Sequence, residues 1–590
     1  MAETLLSPGV LTRENDQSQV TSGPIAVGAA IIGPTVKGPV EIPTIVTSYS
    51  DYKNKFGASF VSGGVTLEYL TSISAYNYFQ QGGETLLVTR VVSSSNSAYT
   101  PATSSQITNI GGTGASFVLE TLSEGVIMNN ATQSAVAASG KTLPGGALTS
   151  GSVDNIRWTV TNVNTGSGTF NLIIRQGNDT SNQQLVVETW LNLSLDPNSP
   201  NYIEYVIGNQ VKNIITDGDG RLNIQVTGSY INQSRYVRIS NVPAPTPNYL
   251  LNNGTFNAAY TASLPVVGSG SEGGAFGGAT GPLFGNGSGA STGLKMFTQI
   301  DTINIQGLSG SDYSNAISVL SNPDEYDYEL ITLPGVNYQN ASGILSTLMA
   351  NSENRGDTMA IVDMVNYGTA ISTVITAANS YDSSYGATYW PWVQVLSQET
   401  GKLVFVPAST VMGGVYAYND KVAETWFAPA GFNRGGLSGV IQAERKLSPS
   451  DRDSLYINKI NPIATFPGQG VVAFGQKTLQ TKASALDRVN VRRLLITLKR
   501  FIGNIADNLV FEQNTTTTRN KFLNQVNPYL ENVQQKQGLY TYKVVMDESN
   551  NTAETIDRNQ LVGAIYLQPT KTAEFIILDF NITPTGVEFA

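Results

Sequence analysis

Residues 326–365 read YDYELITLPGVNYQNASGILSTLMANSENRGDTMAIVDMV, and the periods inside this stretch decide the fold. YDYELITLPGV has the short apolar run of a strand, and ASGILSTLMANSENRGD after it predicts a helix. TMAIVDMV is almost continuously apolar, as expected of a strand covered on both faces. The same order repeats downstream, with a helix in VNYGTAISTVITAANSY and a strand in TYWPWVQVLS that Pro391 interrupts. Strand and helix alternating in this way predict a parallel sheet within an α/β layer. Upstream, PIAVGAAIIG (24–33) and ETLLVTRVV (84–92) predict two more buried strands. Helices are expected between them in SYSDYKNKFG and VTLEYLTSISAYNYFQQGG, stopped by Gly57 and by Gly82-Gly83.

The α/β pattern is interrupted. From about Ser94 to Gly293 the chain is rich in Thr, Asn, Ser and Gly, with short alternating runs. Ile156, Trp158 and Val160 answer Phe170, Leu172 and Ile174 across the turn NTGSG, which predicts a hairpin. The region predicts an all-β insertion with its own core, leaving through the low-complexity stretch VGSGSEGGAFGGATGPLFGNGSGAST. Beyond residue 402 two helices stand out. In SALDRVNVRRLLITLKRFIGNIADNLVFE, Val491, Leu494, Leu498, Phe501, Ile505 and Leu509 form a core-facing stripe. Arg488, Arg492, Arg493, Lys499 and Arg500 fall on the opposite side. In TTTTRNKFLNQVNPYLENVQQKQG a second stripe runs through Phe522, Val526, Leu530 and Val533, with a kink expected at Pro528. YTYKVVMD, QLVGAIYLQP and AEFIILDFNI read as strands.

The fold class is therefore α/β plus β, in several domains. A polar arm occupies 1–22, a discontinuous α/β core 23–95 and 294–400, and a β-rich protruding insertion 96–293. A C-terminal α+β domain occupies 401–572, and a terminal strand-bearing arm 573–590. That last strand alternates Ile576, Leu578, Phe580 and Ile582 with mostly polar neighbours. A lone strand leaves its backbone donors and acceptors unsatisfied, so it must pair within the chain or with another molecule.

Composition narrows the function. At 590 residues, 41% hydrophobic and 13% charged, the chain is a folded protein of two to four domains. A formal charge of −10 argues against coating nucleic acid or an anionic membrane. No segment reads as a signal peptide or a membrane span. Cys 0 and His 0 exclude disulfides, thiolate nucleophiles, Ser-His-Asp triads and zinc or haem sites built on those residues. Neither cofactor nor metal is expected, and an enzyme is not.

Motifs that invite chemistry have plainer readings. Gly268, Gly270 and Gly273 spell GxGxxG inside a glycine-rich loop with no strand before or helix after. DGDGRLN (217–223) begins like a calcium loop but carries Arg221 at a ligand position, so a hairpin turn is favoured. Asp363, with Asp382 as a conceivable companion, could support carboxylate hydrolysis, but a strand-end Asp is more often a cap.

The blocks VPAS (406–409), APAG (428–431), FPGQGVVAFG (466–475), VNVRR (489–493) and VFEQN (510–514) follow one another with characteristic gaps. In these blocks, and in SPGV and YKNKFG near the start, the chain resembles the contractile tail sheath proteins of long-tailed, myovirus-type bacteriophages. The resemblance covers about 1–95 and 300–590; Phe474 stands where many relatives have Trp. It implies stacked hexameric rings of this chain around a tail tube, joined to baseplate and tail terminator proteins. Contraction would drive the tube through the host envelope for genome ejection. It implies assembly in the host cytoplasm and residence in the virion tail, without direct nucleic-acid contact or membrane insertion. Subunits would be linked by strand exchange through Val10, Leu11 and Thr12 at one end and Ile576, Leu578, Phe580 and Ile582 at the other. Arg488, Arg492, Arg493, Lys499 and Arg500 would be candidates for charged contacts with a neighbour or the tube. The alternative is a virion surface protein that binds a receptor or glycan through the β insertion.

Overall fold

The computed structural model describes residues 27–62, 65–92, 99–130, 146–218, 220–266, 274–281 and 310–576. Its centre is an eight-stranded sheet built from β1 (Val27–Gly33), β2 (Thr44–Val46), β3 (Leu86–Arg90), β4 (Tyr328–Asn337), β5 (Met359–Asp363), β6 (Gly386–Trp390), β7 (Asn461–Phe466) and β8 (Gly470–Ala473). The spatial order is β2-β3-β1-β4-β5-β6-β7-β8. The six inner strands run parallel, while β2 and β8 pair antiparallel at the two edges.

Successive residues of one strand serve opposite faces. Ala29, Ile31, Leu330 and Ile361 enter one buried cluster, and Ala30, Ile32, Ile331 and Ala360 enter the other. The first face is covered by helices Leu70–Gln80 and Ser409–Val422, the second by Gly310–Val319 and Tyr338–Arg355. This double cover is why the strand sequences lack alternation. The helix Tyr49–Phe56 is capped by Ser48, which accepts from the Asp51 N–H, and stopped by Gly57 at φ 69°.

Four expectations change. Val65–Glu68 is not the start of a helix but a strand, hairpinned with Ser59–Ser62. The strand expected around Pro391 is two: β6 ends at Trp390, and Val393–Leu396 belongs to a separate three-stranded sheet. β7 and β8 complete the central sheet, so the expected boundary at 400 cuts through one sheet. The helix Thr516–Gln535 continues through Pro528.

The insertion has its own core. Ile156–Asn164, Thr169–Gln176 and Val186–Ser194 form one antiparallel sheet, with Trp158 opposite Ile174 and Val160 opposite Leu172. A four-stranded sheet joins Val118–Glu124 to Phe276–Gly277 through Pro101–Ser104, with Val237–Asn241 beside Val118–Glu124. Both feed a cluster that includes Trp158, Phe117 and Phe170. Val211–Thr216 and Leu222–Thr227 pair as an antiparallel hairpin, and between them Asp217 accepts from the Arg221 N–H at 2.8 Å. The insertion is wired to the α/β body by buried polar bonds. Arg90 donates to the carbonyls of Gly38 and Glu124 at 2.7 and 2.8 Å, and Lys37 donates to the Asp154 carbonyl at 3.1 Å.

A further cluster gathers Leu494, Leu498 and Ile505 of helix Val489–Asp507, and Phe522, Val526 and Leu530 of helix Thr516–Gln535. The hairpin β9 (Leu539–Val545) and β10 (Ala564–Pro569) lies against the helix pair.

Candidate assembly interface

The helix Val489–Asp507 is apolar on two sides. Val489 and Ile496 enter the core of the central sheet, while Leu494 and Leu498 enter the helix-pair cluster. The side that carries the arginines is therefore the joint between two bodies, and the expectation of an outward basic face is corrected. Arg493 has no exposed side-chain surface. Its Nε donates to Glu329 of β4 at 2.8 Å, and its two terminal nitrogens donate to Asp420 at 2.8 and 2.6 Å. Burial opposes its charge, but Asp420 and Glu329 outweigh that and hold the guanidinium protonated.

Arg492 is also buried; it donates to the Ser384 hydroxyl and lies 4.1 Å from the centre of the Tyr385 ring. Arg500 pairs with Asp327 at 2.9 Å, and Arg488 with Asp487 and Glu574. Lys499 alone of the five is exposed, with Tyr385 Oη at 3.5 Å. The sequence reading grouped these five by charge and helical spacing; Glu574, Glu329, Asp420 and Asp327, which pair with Arg488, Arg493 and Arg500, lie far away in the chain, beyond any local signal.

Asp363, the strand-end acid, is likewise structural. It accepts from the Ser409 N–H at 3.1 Å and from the Ser409 hydroxyl, at the start of helix Ser409–Val422. Burial raises its carboxyl to about 7, against the opposing pull of those two bonds. Asp382 accepts from the Thr481 N–H and holds a loop. The two carboxylates serve separate structural bonds, which removes the basis for the hydrolase reading.

The hairpin β9–β10 is one of three two-stranded sheets among the described residues, and the one that lies over the C-terminal helix pair. Among the described residues it has two strands, with no third strand on either side. Ile565, Leu567, Tyr542 and Val544 turn toward the helix pair yet are only partly buried. Two strands are marginal as an independent sheet, and further strands would close this face. Among the described residues both outer edges of the hairpin present backbone N–H and C=O groups of the kind that accept a further strand.

Residues 571–576 leave β10 without regular structure and cross a cavity of about 460 Å³ edged by Pro462, Phe474, Arg434 and Arg452. Glu574 pins this segment. Its Oε1 accepts from Arg488 Nε at 2.7 Å and Gln476 Nε2 at 3.0 Å, and its Oε2 accepts from Tyr456 Oη at 2.8 Å. Burial disfavours the charge, but these three donors overcome it and hold the carboxyl below its ordinary value. Phe575 and Ile576 immediately beyond are 79% and 77% exposed. Val10, Leu11, Thr12, Leu578, Phe580, Ile582 and the Gly268–Gly273 motif lie outside the described residues.

Comparison with known proteins gives a consistent family. Residues 306–479 match the phage tail sheath protein central domain, and residues 481–583 the phage tail sheath C-terminal domain. The chain is 39% identical over 231 residues to the tail sheath protein of Vibrio phage KVP40, covering 39% of this chain and 32% of that one. It is 35% identical over 232 residues to the tail sheath protein of Enterobacteria phage T4, covering 39% and 35%. It thus spans about a third of the length of these curated relatives. The crystal structure of a sheath tail protein from Listeria innocua shares the fold at a TM-score of 0.50 and 12% identity, covering 89% of each chain.

Proposed function

We propose that the chain, which matches the phage tail sheath central and C-terminal domains over residues 306–479 and 481–583, is a structural protein of that family that polymerises by strand exchange into a contractile sheath. In this reading hexameric rings stack helically around a tail tube, between a baseplate and a terminator, in the virion tail. Contraction pushes the tube through the host envelope. Subunits would assemble in the host cytoplasm.

One observation carries the reading: among the described residues the β9–β10 sheet has two strands over a half-covered apolar face. Strands from neighbouring copies, one around Val10–Thr12 and one around Ile576–Ile582, would extend it at both edges. β-augmentation suits a moving lattice, since backbone bonds hold the join while the connecting segments bend. Each backbone bond contributes about 0.5–1.5 kcal/mol net. Burying each of Ile576, Leu578, Phe580 and Ile582 would add about 1.5–3 kcal/mol. One such link rivals the stability of a domain, about 5–15 kcal/mol.

The test is negative-stain microscopy of the purified chain with and without residues 577–590. Hollow cross-striated tubes from the full chain, and monomers from the truncated one, are expected. Equal tubes from both would overturn the strand-exchange reading.

A further inference from the structure

We propose that Glu574 is the anchor that fixes the root of the C-terminal strand to its own subunit, and so sets the length of the link between copies. The proposal rests on the strand-exchange reading and adds a positioning residue to it.

The geometry separates a held side chain, Glu574, from two exposed ones, Phe575 and Ile576, within one residue. Glu574 is gripped by groups from three places: Tyr456 at the end of helix Pro449–Ile457, Gln476 just after β8, and Arg488 at the start of helix Val489–Asp507. Gln476 also bonds the Thr572 hydroxyl, and Arg488 is itself held by Asp487 at 2.9 Å. The Tyr456 ring lies 4.6 Å from Lys477 Nζ and 5.8 Å from the Arg488 guanidinium, so the gripping side chains brace one another. The next two side chains, Phe575 and Ile576, project into solvent. Beneath the segment lies a cavity, so it is secured by polar bonds rather than by packing.

Thr570 is held further back. Its N–H donates to the Gly538 carbonyl at 3.2 Å and its hydroxyl to the Gln537 carbonyl at 2.7 Å. Gln476 holds Thr572 between the two, so without the Glu574 grip residues 573 and 574 join the tether. At about 3.3–3.6 Å per residue they add about 7 Å of slack. A longer tether lowers the effective concentration of the strand at its acceptor and lets neighbours move without pulling one another. The grip therefore makes the link short enough to transmit motion.

The absence of cysteine makes the test clean. A nitroxide on Phe575→Cys reports tail motion in the monomer, and assembly is measured on the unlabelled chain. Adding Glu574→Ala should sharpen the spectrum to fast motion, and Arg488→Glu with Glu574→Arg should restore slow motion. In assembly, Glu574→Ala should raise the concentration needed for tube formation several-fold and blur the cross-striation. Should Glu574→Ala fail to fold, Tyr456→Phe removes one donor and is expected to speed the label as well. Unchanged label motion in the folded variant overturns the anchor, as do tubes of normal order formed at the normal concentration. Failure of strand exchange is distinguishable: truncation at 576 would then leave tubes intact, while the monomer label still reports the grip.

Discussion

Arg493 and Asp420 form a two-point ion pair, 2.8 and 2.6 Å, across the joint between the long C-terminal helix and helix Ser409–Val422. Glu329 of β4 completes the set at 2.8 Å, and the guanidinium sits 5.0 Å from the Tyr416 ring centre. One side chain thus ties the central sheet to the helix pair beneath the hairpin.

Removing that tie leaves two acids without their shared cation. Arg493→Met should destabilise the chain by about 3–5 kcal/mol, as expected for breaking a buried pair from one side. Arg493→Lys should recover only part of this, because an ammonium cannot reproduce the fork. Urea denaturation of the monomer measures both.

The second prediction concerns pH. Asp363 has its folded value raised to about 7, against an unfolded value near 3.9. Between those values the folded state holds a proton that the unfolded state has lost, so stability falls as pH rises from about 4 to 7. The loss through this group reaches about 4 kcal/mol. Asp363→Asn keeps an acceptor for the Ser409 N–H and removes that slope. Denaturation at pH 5 and pH 8 should show a smaller difference in the variant than in the parent.

Phe170 stacks on Phe117 at 5.3 Å inside the insertion's own cluster. Phe170→Ala should cost about 3–5 kcal/mol through the cavity it opens. The loss should appear in the insertion's unfolding and leave the helix-pair cluster unaffected. Hydrogen exchange resolved by segment distinguishes the two.

Lys499 is the exposed member of the basic set. Lys499→Glu should change monomer stability by less than about 0.5 kcal/mol. In tubes it should weaken assembly if this position meets acids of a neighbour, read as a raised assembly concentration. Arg493→Glu should instead fail as a monomer.

Phe511 is fully exposed and adopts φ +70°, a conformation that costs a side chain with a Cβ. Phe511→Gly should stabilise the monomer by about 1 kcal/mol. A simultaneous loss of tube formation would show that the strained aromatic is kept for a contact between molecules.

Local periodicity was enough for most of the α/β core. β4, β5 and β6 are apolar because both faces are covered, and that cover is written into the residues themselves. The Ile156–Asn164 hairpin was equally legible, since facing apolar residues alternate about a short turn. The second strand of the Ser59–Glu68 hairpin, Val65–Glu68, was missed because four apolar-containing residues before a helix share its pattern. The fate of the basic residues was not legible either. Helical spacing placed Arg488, Arg492, Arg493 and Arg500 on one side, but it carries no information about what packs there.

The sequence by itself determined the α/β alternation, the separate β insertion, the absence of thiol and imidazole chemistry, and the resemblance to tail sheaths. Those depend on neighbours within a few turns, or on composition. Only the tertiary structure decided that the arginine side of helix Val489–Asp507 is a buried joint, that Asp363 caps a helix, and that Glu574 grips the root of the tail. Each of these is set by partners from distant segments, and long-range pairing leaves no period in the chain.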